Sequence, residues 1–204
     1  MEINNQYVLP DNNYIKTETT KKSIILGNFS ASPDKNYVKW TSRYNSNYKK
    51  TAAFTIDISG CVYNHFDPIY YSNILGNIDL DKRNIVILLE NEGWLTKNVN
   101  ENKFIDWVGH IYNRDGVIVE KKWRGQSYWA PYSDEQVVST IKLITKLCAD
   151  YNINKVAIPH NTKIDNPDEY EGIFYKSNLE KHHTDLSPAW SCEDFKSKLE
   201  EYEK

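Results

Sequence analysis

Five histidines (His65, His110, His160, His182 and His183) are the side chains in this 204-residue chain best suited to hold a metal or move a proton near neutral pH. His160 stands at the end of an expected short strand at 153–158, and the ends of strands are where open α/β sheets present functional groups. His182, His183, Thr184 and Asp185 fall in a polar stretch that reads as a loop. Imidazole nitrogens and a carboxylate oxygen are donors of the zinc type. Even so, a His at a strand end is more often hydrogen-bonded than metal-bound. Neighbouring side chains in an extended loop also point to opposite sides, which weakens His182 and His183 as a pair.

Other chemistries find little support. No nucleophile elbow, Walker loop, GxGxxG or HExxH pattern occurs. Cys61, Cys148 and Cys192 are too widely spaced for a disulfide framework or a CxxC zinc site. Glu90 and Glu92 fall on opposite faces if their strand continues, so they make no obvious acid pair, and Glu90-Asn91 reads first as a solvated strand end. The 15 Tyr and 6 Trp are numerous enough to line a saccharide or peptide groove. For Trp123, Tyr128 and Trp129, however, packing within a hairpin is the plainer reading.

The elements that must position these groups follow from periodicity. Residues 23–26, 84–89 and 153–158 read as short buried strands, because Ile24–Leu26, Ile85–Leu89 and Val156–Ile158 within them are continuously apolar, the pattern of interior strands covered on both faces. Residues 52–66, turning at Ser59-Gly60, read as a hairpin. Residues 107–123 read as a second hairpin, with Asp115-Gly116 at its turn. Ser32-Pro33 starts a helix on which Tyr37, Trp40, Tyr44 and Tyr48 share a face. Ser133 to Gln136 forms a capping box, and Val137, Ile141, Ile144, Cys148 and Tyr151 continue at helical spacing. Residues 191–202 read as a short amphipathic helix. The expected fold class is therefore α/β, a mixed central sheet with helices on both faces and an inserted hairpin. A polar leader (1–22) precedes a single domain (23–204), since no Pro/Gly/Ser-rich linker divides the chain.

Composition narrows the partners. With 40% hydrophobic and 26% charged residues the chain is globular, and its net charge of −3 removes the main electrostatic reason to expect nucleic-acid binding. No apolar run approaches the roughly 20 residues that span a bilayer, so no membrane partner is expected. The leader lacks the apolar core of a secretory signal, which points to a product that stays in the cytoplasm where it is made.

The order of segments carries a resemblance. "SIILGNFSAS" (23–32) is followed by "AAFTIDISGCVYNHFDP" (52–68), "NIVILLENEGWL" (84–95), "YSDEQVVSTIKLITKLCADYNI" (132–153), "VAIPHNTK" (156–163) and "HTDLSPAW" (183–190). This succession resembles the type-2 N-acetylmuramoyl-L-alanine amidases, the fold shared by phage amidase lysozymes and peptidoglycan recognition proteins. The hairpin at 107–123 and the segment 164–178 look like insertions.

The resemblance implies a peptidoglycan hydrolase that cleaves the amide between N-acetylmuramic acid and L-alanine. Such an enzyme would be phage-encoded, and would reach the wall after release from the host cytoplasm or as a virion part. It implies zinc, held in the family by a His at the end of the first strand, a second His late in the chain, and a Cys or Asp shortly after it. His160 matches the second ligand and Asp185 the third. The first is matched by Asn28 (or Gly27), neither an ordinary zinc ligand. The family's catalytic Lys is matched by His183, and the hydroxyl of its first hairpin falls near Ala52 or Ala53. Asn91, Trp94, Trp129 and Asn161 are the groove candidates. A catalytically silent relative that binds peptidoglycan in the same groove is the alternative reading.

Overall fold

Four strands running in the same direction bring their C-terminal ends to one edge, and that edge is where the chemistry gathers. The computed structural model describes residues 1–98, 100 and 103–202; residues 203 and 204, at the end of the expected domain, lie outside it. Strand β1 (Ser23–Phe29) pairs in parallel with β4 (Asn84–Glu90) on one side and with β9 (Gly172–Tyr175) on the other. Strand β2 (Phe54–Ile56) is parallel to β4, and β3 (Val62–Asn64) closes the sheet antiparallel to β2, giving the order β3-β2-β4-β1-β9.

Ile24, Ile25 and Leu26 of β1 and Ile85 to Leu89 of β4 are all buried. Unbroken burial along a strand requires cover on both faces, which matches the absence of polar alternation in these runs. Part of that cover comes from α1 (Pro33–Ser42), α3 (Asp134–Tyr151) and α5 (Cys192–Glu201), whose Trp40, Ile144 and Phe195 join the same core. Two short helices, α2 (Ile78–Arg83) and α4 (Lys176–Leu179), lead into β4 and out of β9.

Local signals account for most of these elements. The capping box of α3 is formed, with the Ser133 hydroxyl accepting from the Gln136 amide. The Gln136 side chain also donates to the Glu90 carbonyl at 2.9 Å, fastening the start of the helix to the end of β4. Ser191 caps α5 by accepting from the Asp194 amide. The polar leader is docked against the sheet: the amides of Asn4, Leu9 and Ile15 donate to the carbonyls of Val62, His65 and Tyr71, and Leu9 and Tyr14 enter the core.

Three expectations are corrected. First, residues 107–123 do not form a hairpin. A second sheet, in the order β6-β5-β8-β7, is built from β5 (Trp94–Asn98), β6 (Lys103–Asp106), β7 (Val119–Trp123) and β8 (Gln126–Trp129). Its tight turn is Arg124-Gly125, both with positive φ (48° and 81°), as a type I′ turn requires. Gly116 does sit in a turn with φ 111°, but Val117 beside it is 85% exposed and Arg114 is drawn instead to Glu90 and Glu92. Second, residues 153–158 contribute only an isolated bridge, from Ala157 to Ile173 on the outer edge of β9, and Val156 is 58% exposed. The place beside β1 goes to β9, an edge strand of four buried residues inside the segment 164–178 that looks like an insertion. Third, α1 stops at Ser42, because Tyr44, Asn45 and Ser46 all take positive φ, so Tyr44 and Tyr48 lie beyond the helix.

Candidate functional site

The site begins with a close approach at the end of β1. A Cβ placed on Gly27 would stand 2.6 Å from Lys176 Cδ, 3.1 Å from Leu88 Cδ2 and 3.2 Å from an Asp185 carboxylate oxygen. Lys176 follows β9 directly, and β9 pairs with β1, so the register of the sheet delivers the lysine stem across Gly27. Its ammonium lies 3.3 Å from Asp185 Oδ2, with both side chains less than a fifth exposed. The same oxygen accepts from the Asn28 amide at 3.2 Å.

The Asn28 side chain is also engaged. Its Oδ1 accepts from the Tyr132 hydroxyl at 2.9 Å, and that hydroxyl in turn accepts from the Ser187 amide at 3.3 Å. Burial pushes the Tyr132 phenol above its ordinary pKa, so it remains a donor at any physiological pH. Asn28, Tyr132, Ser187, Asp185 and Lys176 thus form one connected polar network, supplied by the end of β1, the start of α3, the end of β9 and the loop at 185–187.

His160 stands next to this network, on the far side of residue 186. Its Nε2 lies 2.9 Å from the Leu186 carbonyl, which can only accept, so that nitrogen carries the proton. The ring packs against Trp123 with centroids 4.6 Å apart, and burial holds its pKa below the ordinary value. His183 is likewise held low, first by burial and then by the nearby Lys176 charge. A neutral imidazole there does not reproduce the cation of the family's lysine.

The remaining sequence candidates separate into two groups. Trp94, Asn28 and Asp185 line a cleft of about 310 Å³, together with Asn36, Lys39 and Trp107. Asn91 borders it too, but its amide is spent on the Ala130 and Pro131 carbonyls and its oxygen on the Gly93 amide, so its role is to shape the loop. Trp129 is fully buried and donates to the Lys121 carbonyl, which removes it from any groove. Asn161 is exposed and accepts from the Trp123 indole, away from the cleft lining.

Sequence reasoning missed Lys176, Tyr132 and Arg124. Nothing in the spacing marks Lys176, whose importance comes from sheet register. Tyr132 stands just before a capping box, and the helix signal hid it. Arg124 occupies the left-handed turn of β7–β8, lies over the Trp123 ring at 4.4 Å, and donates to the carbonyls of Ser177, Glu180 and His183. The reading of Glu90 and Glu92 also changes: both are paired with Arg114, and Glu90 is buried rather than solvated.

Zinc at the position implied by the resemblance does not fit these residues. Such a site needs three protein ligands and an open position. Here the first-ligand position is Gly27, which the Lys176 stem covers, or Asn28, whose side chain is held by Tyr132. Asp185 already faces an ammonium. Among the described residues, the group of three metal-type side chains with converging donor atoms is Glu180, His182 and His183, and it includes neither His160 nor Asp185.

No protein-family model matches the chain, and no curated protein matches it in sequence. Solved structures do. The N-acetylmuramoyl-L-alanine amidase LysC from Clostridium intestinale URNW is 12% identical, with 98% of each chain covered and a TM-score of 0.56. The E. coli amidase AmiD, solved with the substrate anhydro-N-acetylmuramic acid-L-Ala-D-γ-Glu-L-Lys, gives 12% identity and a TM-score of 0.59 over 91% of this chain and 60% of AmiD. The catalytic domain of XlyA gives 13% and 0.55 over 98% and 99%. At such identities the likeness is one of architecture, and the architecture of this chain is that of the N-acetylmuramoyl-L-alanine amidases.

Proposed function

We propose that the protein recognises peptidoglycan fragments in the cleft beside Asn28 and Asp185 and holds them without zinc-dependent hydrolysis. The observation that carries the second half is the Lys176–Asp185 pair closed over Gly27. A fixed lysine ammonium supplies the positive charge beside the carboxylate, and the space for a His ligand is filled by its stem. The first half rests on fold likeness, on a neighbour solved with a muropeptide, and on the character of the cleft. Trp94 and Trp107 offer flat apolar faces suited to sugar rings, while Asn36, Lys39 and Thr184 offer groups that pair with amides and carboxylates.

Hydrolysis of the N-acetylmuramoyl–L-alanine amide is the second reading. The observation in its favour is that His160 and Asp185 remain on adjoining segments, with His160 bonded to the carbonyl of the residue after Asp185. For that reading His160 would bind through Nδ1 while Nε2 stays on the Leu186 carbonyl, and Lys176 would have to leave Asp185.

The deciding experiment is calorimetric titration of N-acetylmuramoyl-L-Ala-D-γ-Glu-L-Lys into the full chain, with and without chelator, alongside an assay for released amino termini. Equal binding in both conditions, weakened by Trp94→Ala, with no release, is the expected result. Metal-dependent release would establish the hydrolase, and absence of binding would end the peptidoglycan assignment.

A further inference from the structure

The turn that precedes Asp185 carries a donor set of its own. Glu180, His182 and His183 each present a ligand atom, and these atoms all lie within 4.8 Å of one another. His182 Nε2 is 3.0 Å from Glu180 Oε2, and the two imidazole rings stand with centroids 4.6 Å apart. The expectation that adjacent histidines diverge fails here because the backbone turns: the His183 amide donates to the Glu180 carbonyl at 3.2 Å.

The turn is held from outside as well. Arg124 donates from one guanidinium nitrogen to the Glu180 and His183 carbonyls, and from another to the Ser177 carbonyl. Both ends of the donor-bearing turn are thereby fastened to the second sheet. That is preorganisation of the kind a ligand site requires, since the backbone entropy is already spent before anything binds. An exposed Glu–His pair by itself stabilises little, so fold stability alone gives no reason for three such side chains to converge.

We infer that Glu180, His182 and His183 form a binding site for a borderline divalent cation such as Zn²⁺, Co²⁺ or Ni²⁺. Two imidazole nitrogens and one carboxylate oxygen are the donor types these ions select over hard oxygen-only sites. In a tetrahedral site with bonds of ~2.0–2.1 Å, donor atoms stand about 3.4 Å apart. The Glu180 and His182 side chains are more than half exposed and free to rotate by the small amount needed. Three protein ligands leave a coordination position for water or an incoming oxygen ligand. Thr184 and Asp185, the next two residues, line the cleft, so the ion stands at its rim. The inference is independent of the peptidoglycan assignment.

Untagged, chelator-stripped full chain titrated with Zn²⁺ by calorimetry, and with Co²⁺ by visible absorption, tests it. One equivalent is expected to bind, with Co²⁺ giving the d–d bands of a nitrogen/oxygen site. His182→Ala is expected to weaken affinity at least tenfold and Glu180→Gln several-fold, while His160→Ala leaves it unchanged. Because residues 180 and 182 are exposed, these variants retain the fold, and circular dichroism checks this. Absence of a stoichiometric site overturns the inference. So does binding lost in His160→Ala but kept in His182→Ala, which would place the ion at the position implied by the family.

Discussion

The ammonium of Lys176 lies 3.3 Å from Asp185 Oδ2, and its stem crosses Gly27 closely enough to exclude a Cβ there. A cation fixed by covalent attachment to the sheet thus occupies the ground that a metal and its first-strand ligand would need. Gly27→His should therefore destabilise the protein by about 1–3 kcal/mol, the usual cost of overpacking. Combining it with Lys176→Ala should recover much of that loss and create zinc affinity absent from either single variant. Thermal unfolding and zinc titration of all three proteins check this. A stable single variant would show that Lys176 moves aside easily.

Tyr132 is the hinge pin of the polar network. Tyr132→Phe removes one hydroxyl but leaves Asn28 Oδ1 and the Ser187 amide without their partner. The expected cost is about 1–3 kcal/mol, with weaker muropeptide binding, because the unsatisfied groups sit inside the protein. Denaturant unfolding and the calorimetric titration measure the two effects.

Arg114 is placed by the loop at 107–118 against two carboxylates, with Nη2 2.9 Å from Glu90 and Nε beside Glu92. Burial raises the pKa of both glutamates, and the Arg114 charge opposes that rise. Arg114→Met leaves two largely buried carboxylates facing each other without a cation, at a cost of about 3 kcal/mol near pH 8. The variant's glutamates are then raised further and take up protons more readily than in the unfolded chain. Its deficit should accordingly shrink as the pH falls toward 5. Unfolding at both pH values tests the sign.

His65 sets an acid limit on stability. It is buried, its Nδ1 donates to the Tyr7 carbonyl, its Nε2 accepts from Thr55, and its ring meets Trp40 edge-on. Burial lowers its pKa from 6.5 to about 4. A folded-state pKa below the unfolded one means that stability is fully present above pH 6.5 and is lost progressively as the pH falls toward 4. The loss amounts to a few kcal/mol, at ~1.4 kcal/mol per unit. His65→Gln should be less stable at pH 7.5 but show a flatter dependence between pH 6.5 and 4.5.

Local chemistry alone determined a good part of this protein. The apolar runs at 23–26 and 84–89 could only be satisfied by burial on both faces, and the capping box at Ser133–Gln136 fixes the start of α3 through hydrogen bonds within four residues. The order of segments carried the fold class, and it placed Asn28, Trp94 and Asp185 where the structure forms a cleft. What the sequence could not decide was pairing between distant segments. Whether a four-residue strand at 172–175 or the run at 153–158 takes the place beside β1 depends on the competition for its hydrogen-bonding edge, which no local pattern records. In the second sheet, pairing of β7 with β8 likewise made Arg124-Gly125, rather than Asp115-Gly116, the strand-reversing turn. The fate of the site followed from the pairing of β9 with β1. Lys176, Asp185 and Gly27 meet only because parallel register aligns β9 with β1, and that long-range contact separates a metal-ready constellation from one already closed by a lysine.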